Sequence, residues 1–153
     1  EAPLAAPKQR DIRQLKARNE TERRPRTNVE FHVQLGRDSL SDVEWTTQFL
    51  QLLHHIPETS TLKAIDALLR HSALSADDAN VLRESWAFCD RVRNRLFLIH
   101  GGPNDFLPST TQQLTVLARS LDFTSAELRE QYRRVTRRSR RAMERLFYGN
   151  HSE

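Results

Sequence analysis

The sequence is poor in cysteine, glycine and lysine, and it has no long apolar run. Cys89 is the only cysteine among 153 residues, which excludes an intrachain disulfide and a cysteine-based metal cluster and predicts a reducing compartment, the cytoplasm. No apolar stretch approaches the roughly 20 residues of a membrane span, and residues 1–9 lack the apolar core of a signal peptide. We therefore expect a cytoplasmic chain without a membrane partner.

Lysine is nearly absent although the chain is basic. The sequence has 24 Lys and Arg residues against 20 Asp and Glu, and only Lys8, Lys16 and Lys63 are lysines. The net charge of +4 and the pI near 9.8 permit an anionic partner such as nucleic acid, a nucleotide or an acidic protein face. Charge alone does not choose among these three classes.

Apolar residues recur at helical spacing along most of the chain, which predicts an all-α, compact antiparallel bundle of about six helices. The helices are expected over 10–24, from Ser41 to before Pro57, from a start at Thr59, Ser60 or Thr61, from Ser75 to Gly101, from Thr110 and from Thr124. Ser41 with Glu44, and Thr124 with Glu127, have the spacing of a capping box. The predicted organisation is a linker or disordered segment over 1–9, the bundle over 10–149, and a tail over 150–153.

The second predicted helix has an acid within its apolar arc. Asp42 lies among apolar residues, whereas Glu44, Gln48 and Gln51 form a polar strip on the other side. Two interpretations stay open for Asp42: a helix-start carboxylate that interacts with the backbone N–H groups, or a residue at an interdomain surface paired with Arg37 or another arginine. For the strip the alternatives are a solvated helix face or a surface that borders a neighbour.

The last predicted helix carries arginines along its outer face. These are Arg129, Arg133, Arg134, Arg137, Arg138, Arg140, Arg141 and Arg145. No helix-turn-helix spacing, zinc pattern or aromatic ladder accompanies them, so nucleic acid is not the preferred partner. A solvated face or a docking surface for an acidic partner is favoured, with Arg133, Arg134, Arg137, Arg138 and Arg141 as its residues.

No metal site is predicted. His54 and His55 are adjacent and about 100° apart on a helix, so they do not form the i, i+4 pair that chelates one ion. Cys89 stands near Trp86 and Phe88 and is expected in the core, because the local sequence offers no base that would activate its thiol.

Three separated blocks resemble one known family. GRDSLSDVEWTTQFLQL, TSTLKAIDALL and YRRVTRRSRRAMERLFYG resemble, in the same order, the C-terminal helical region of bifunctional glutamine synthetase adenylyltransferase/deadenylylase. The resemblance implies an upstream nucleotidyltransferase domain with a Gly-Ser turn and an Asp-x-Asp pair, which this chain lacks. It also implies Mg²⁺ and ATP in the parent enzyme, none in this chain, and as partners that domain, glutamine synthetase and a PII-type signalling protein.

The resemblance also bears on the site residues. It implies that Asp42, Glu44, Gln48 and Gln51 border the nucleotide cleft or the neighbouring domain, with roles in orientation and none in proton transfer. The turn Gly36–Ser39 reads Gly-Arg-Asp-Ser where the family usually has Gly-Arg-Gly-Gly, and an acidic side chain there opposes direct phosphate contact. For Arg37 a phosphate contact, pairing with Asp38 or Asp42, and simple exposure stay open.

The expected function follows from the resemblance. The family transfers AMP from ATP to a tyrosine of glutamine synthetase and removes it by phosphorolysis. This chain is expected to pack on the catalytic domain, shape its cleft or present the protein substrate, and to be inactive alone. The alternatives are a free-standing basic adaptor, with no catalytic motif upstream, and a nucleic-acid-binding bundle, with affinity that falls steeply with salt.

Overall fold

Six α-helices account for most of the residues that the structure describes. The structure, a computed structural model, describes residues 4–22, 40–104 and 106–149. Those ranges contain no β-strand, which confirms the all-α helical bundle. In chain order the helices are α1 (Ala6–Glu22), α2 (Leu40–His54), α3 (Thr61–Arg70), α4 (Ala76–His100), α5 (Thr111–Ser120) and α6 (Ser125–Leu146).

Local signals set the ends of the later helices as predicted. Thr124 and Glu127 form a complete capping box at α6: the Glu127 N–H donates to Thr124 Oγ1 (3.2 Å) and the Thr124 N–H donates to Glu127 Oε2 (2.7 Å). Ser75 accepts from the Asp78 N–H at the start of α4 (3.0 Å). Gly101 ends α4 with φ at 68°, the left-handed conformation that glycine adopts without a Cβ clash.

The first two helices begin earlier than predicted. α1 starts at Ala6 and not at Arg10, so residues 6–9 belong to a helix and not to a linker. Pro7 permits this because its missing N–H would have no partner in a first helical turn. α2 starts at Leu40, which places Ser41 inside the helix, so its assignment as the cap is wrong. Residues 23–39, which include the predicted end of the first helix, and the predicted tail 150–153 lie outside the described residues.

α4 and α6 lie at the centre of the bundle, and the remaining core helices pack around them. One apolar cluster joins α4, α5 and α6 and includes Val92, Leu96, Leu117, Leu128 and Val135. A second joins α2, α3 and the first half of α4, and includes Val43, Ile65, Leu68 and Leu82. One stripe of α6 packs into the core, since Leu128, Tyr132, Val135, Ser139, Ala142 and Met143 are all buried.

A small aromatic cluster connects α1 to the bundle. Phe49 of α2 and Phe147, just after α6, are buried with ring centroids 4.9 Å apart. Ile12 of α1 packs against them, and the Arg13 guanidinium lies 5.2 Å from the centroid of the Phe49 ring. Lys16 is nevertheless the only fully buried residue of α1. Polar side-chain contacts therefore attach this helix to the bundle more than the burial of apolar side chains does.

The capping box predicts a measurable difference between two cap residues. Thr124→Ala removes the hydroxyl that accepts from the Glu127 N–H and should lower the free energy of unfolding by about 1 kcal/mol. Ser60, the cap residue of α3, makes no side-chain cap hydrogen bond, so Ser60→Ala should change it by less than about 0.5 kcal/mol. Urea denaturation of the two variants measures both values, and equal losses would contradict the assigned cap.

Candidate functional site

The carboxylate of Asp42 is buried at the junction of three helices. Its side chain is 0% exposed. Lys16 Nζ of α1 lies 2.9 Å from Asp42 Oδ1, and Arg140 Nη1 of α6 lies 3.3 Å from Oδ2. The prediction that Asp42 lies at an interdomain surface is therefore wrong, whereas the arginine partner expected for it is present as Arg140. Asp42 points inward because two cations from other helices compensate its charge there.

Two glutamates complete the group, which we call the buried ion network: Lys16, Glu20, Asp42, Arg140 and Glu144. Arg140 Nη1 lies 2.8 Å from Glu20 Oε1, and its Nε lies 3.1 Å from Glu144 Oε1. Lys16 Nζ also approaches Glu20 Oε1 (3.4 Å) and donates to Ser41 Oγ (3.3 Å). The network joins α1, α2 and α6 through charge-assisted contacts.

The electrostatics of the network favour the charged forms. Burial raises the pKa of Glu20, but the hydrogen bond and charge of Arg140, together with Lys16, lower it more, so the net pKa lies below the ordinary value. Burial by itself lowers the pKa of Arg140. The contacts with Glu20, Asp42 and Glu144 raise it by more, so the net pKa lies above its usual range. Both groups therefore stay charged in the folded chain at neutral pH.

The polar strip of α2, which we call the α2 edge, contains Glu44, Gln48 and Gln51. Gln48 is exposed and Glu44 is half-buried. Glu44 makes no hydrogen bond or ion pair with another described residue, and burial raises its pKa despite the charges of Arg93 and Lys16. Gln51 has an intrachain role, since its Nε2 donates to Ile56 O (3.0 Å) and Glu58 O (2.8 Å).

A groove of about 610 Å³ lies at the C-terminal end of the α2 edge. Two glutamines of the α2 edge line this groove together with apolar and charged residues. Its wall consists of Gln48, Gln51, Leu52, His55, Ile56, Pro57 and Glu58. Gln51 fixes the backbone after α2 and thereby shapes this wall. Arg37, the remaining predicted site residue, and the turn Gly36–Ser39 lie outside the described residues.

Six of the eight arginines predicted on the outer face of α6 are exposed, whereas Arg129 and Arg140 are half-buried. Arg133, Arg134, Arg137, Arg138 and Arg141, which we call the basic face, are exposed. Arg134 and Arg138 pair with Glu84 of α4, and Arg145 pairs with Asp78 at the start of α4. Arg140, expected on the outer face, instead turns into the buried ion network.

Sequence reasoning missed Lys16, Glu20 and Arg140 as members of one site. An ionised carboxylate within an apolar arc requires a buried cation, and that requirement was the available signal. Lys16 and Glu20 also have the i, i+4 spacing of a helical ion pair. The choice of Arg140 among the arginines of α6 depends on helix packing, which spacing does not specify.

Two general properties concern the described part of the chain. No helix in it combines the length and apolar character of a bilayer span. Over 4–22, 40–104 and 106–149, no three His, Cys, Asp or Glu side chains are grouped to bind a metal ion.

Cys89 lies in the core as predicted, and burial raises the pKa of its thiol to about 12, which keeps it protonated.

The comparisons with known proteins cover nearly the whole chain. Residues 8–148 match the profile of the family described as GlnD PII-uridylyltransferase. The chain belongs to this family. Similar proteins include bifunctional glutamine synthetase adenylyltransferase/adenylyl-removing enzymes from Streptomyces avermitilis (41% identity over 92% of the chain), Mycobacterium avium (40% over 90%) and Mycolicibacterium smegmatis (38% over 97%). These matches confirm the resemblance to glutamine synthetase adenylyltransferase. The chain spans about 15% of the length of these relatives.

Breaking the buried ion network should cost far more than breaking an exposed pair on the same helix. Lys16 is 2% exposed, so Lys16→Met should lower the free energy of unfolding by about 3 kcal/mol, because Asp42 keeps Arg140 but loses one of its two cations. Arg18 and Glu22 are 71% and 66% exposed, so Arg18→Met should cost less than about 1 kcal/mol. Chemical denaturation compares the two variants, and similar losses would show that Lys16 is not essential to the network.

Proposed function

We propose that this chain is the helical part of a bifunctional enzyme of the glutamine synthetase adenylyltransferase/adenylyl-removing type. The observation that carries the proposal is the match of 41% identity over 92% of the chain, which spans only 15% of that relative. The parent would transfer AMP from ATP to glutamine synthetase and remove it again. This chain would pack against the nucleotidyltransferase domain, shape its cleft and help present the protein substrate.

We assign Mg²⁺ and ATP chemistry to the catalytic domain of the parent. The buried carboxylates Asp42 and Glu20 contact Lys16 and Arg140, and a carboxylate neutralised by a buried cation is a poor ligand for a further cation. The described residues therefore do not fit a Mg²⁺ site around this network. Their contribution would be to hold the start of α2 in place next to the catalytic domain.

The α2 edge supports this placement. Glu44 is half-buried without a hydrogen-bond or ion-pair partner among the described residues, and its raised pKa means that its charged form is destabilised by the fold. A carboxylate retained at such a cost is typical of a functional surface. Gln48 and the groove beside it continue this surface along α2.

The C-terminal end of α4 offers an apolar surface for packing against another domain. Phe97 and Leu98 are 51% and 72% exposed, and Ile99 is exposed beside them. A groove of about 450 Å³ that includes Trp86 and Leu62 adjoins Leu98. Several large apolar side chains exposed at one helix end are typical of an interface, and the proposed occupant is the rest of the parent polypeptide.

The isolated chain should show no AMP transfer. The assay would contain the purified 153 residues, ATP, Mg²⁺ and glutamine synthetase, with AMP incorporation into glutamine synthetase as the readout. The full-length relative from Streptomyces avermitilis, which is 41% identical over this region, is the positive control. Turnover by the chain alone would contradict the assignment of the chemistry to another domain.

Glu44→Gln should separate stability from function. In this chain the variant should be more stable than the wild type at neutral pH, because it removes a charge whose burial is unfavourable. The folded chain retains the Glu44 proton to a higher pH than the unfolded chain. The stability difference should therefore be absent well below the ordinary pKa of 4.5, grow as the pH rises through the raised value, and stay constant above it.

In the full-length parent, the same substitution should lower the rate of AMP transfer by about tenfold, the effect of losing one hydrogen bond to a charged group. Glu130→Gln, at an exposed position of α6, is the matched control and should leave both stability and rate nearly unchanged. A parent whose rate does not respond to Glu44→Gln would rule out a role for Glu44 at the catalytic interface.

A further inference from the structure

The basic face of α6 already binds one carboxylate within the chain. Arg134 Nη2 donates to Glu84 Oε1 (2.7 Å), and Arg138 Nη1 donates to Glu84 Oε2 (3.0 Å). The two arginines are four residues apart and therefore one turn apart on the same helix surface. Each contacts one oxygen, so the pair forms a clamp that fits the two oxygens of a single carboxylate.

A second pair on α6 has the same spacing. Arg137 and Arg141 are also four residues apart, both are exposed, and no ion pair to either is present among the described residues. Arg133 precedes them by one more turn on the same row. Three arginines thus follow one another along about 12 Å of helix at the rise of 1.5 Å per residue.

We propose that Arg137 and Arg141 form a clamp for a carboxylate of a protein partner, presented by an acidic helix whose glutamates or aspartates recur every fourth residue. Such a helix would place successive carboxylates at the same spacing as the arginine row. The Glu84 contact shows that arginines at this spacing on α6 bind a carboxylate through both oxygens. The proposal does not depend on the AMP-transfer function of the parent.

The chemistry of this surface favours an acidic protein over nucleic acid. Proteins that bind single-stranded nucleic acid usually combine arginines with exposed aromatic rings on which the bases stack. α6 has one aromatic residue, Tyr132, and it is buried. Phe97 is an exposed aromatic residue on which a base could stack, but it lies on α4 and not on α6.

The test uses an Ala-based helical peptide of about 20 residues with a glutamate at every fourth position, long enough to form a helix in water. An isomer of the same composition, with its glutamates spread around the helix, is the matched peptide. Titration into the isotopically labelled 153-residue chain, followed through the arginine Nε–H signals, gives both the dissociation constants and the arginines involved. The aligned peptide should bind more tightly and shift the signals of Arg137 and Arg141.

The protein variants separate a specific clamp from general charge attraction. Arg137→Gln with Arg141→Gln should weaken binding of the aligned peptide about fivefold, in the range of two exposed charge pairs. Arg70→Gln with Arg119→Gln removes the same charge from exposed, separate positions and should weaken it less than about twofold. Circular dichroism checks that both double variants keep the fold.

Three outcomes would overturn the proposal. These are equal weakening in the two double variants, equal affinity for the two peptides, and tighter binding of oligothymidylate than of the aligned peptide at the same salt concentration. The last result would identify the basic face as a nucleic-acid surface. None of these outcomes bears on whether the parent transfers AMP, so failure here is distinguishable from failure of the proposed function.

Discussion

The contact of Asp42 with Lys16 and Arg140 connects parts of the chain that are far apart in sequence. Removing an ionised carboxylate from water costs several kcal/mol, and the bundle compensates this cost with two cations and their hydrogen bonds. The first helix contributes Lys16, the second Asp42 and the last Arg140. Because α1 buries little apolar surface, its position depends on this charge compensation more than that of any core helix.

The arginines of α6 fall into three groups, and only one of them contacts Asp42. Arg140 points inward and stabilises the start of α2, whereas Arg134 and Arg138 point towards α4 and bind Glu84. Arg137 and Arg141 lie on the adjacent row and remain exposed. One helix therefore supplies structural ion pairs on two sides and a basic surface on the third. The sequence of α6 does not distinguish these roles, because arginine occurs along the whole helix.

The start of α2 contains both the buried contact of Asp42 and the α2 edge, the surface that we propose faces a neighbouring domain. Asp42 is held by its contacts with Lys16 and Arg140, whereas Glu44, two residues later, is half-buried and makes no ion pair with a described residue. The charges of Arg93 and Lys16 lower the pKa of Glu44 less than burial raises it. The ion pairs of Asp42 fix the start of α2, and the Glu44 carboxylate beside them has no ion-pair partner among the described residues. This arrangement is suitable for a surface that orients a neighbouring domain. The family membership and the match to adenylyltransferases over nearly the whole chain agree with that role as a proposal.

Local chemistry determined the six helices, the capping box at Thr124, the end of α4 at Gly101 and the buried stripe of α6, because each depends on residues within one or two turns. The sequence blocks also carried the family resemblance. Tertiary packing alone decided where Asp42 points. Its partners are 26 and 98 residues away, and helical periodicity identifies which residues share a face but not which distant cation comes to lie against it. The same reason explains why Arg140 and not a neighbouring arginine was drawn into the interior.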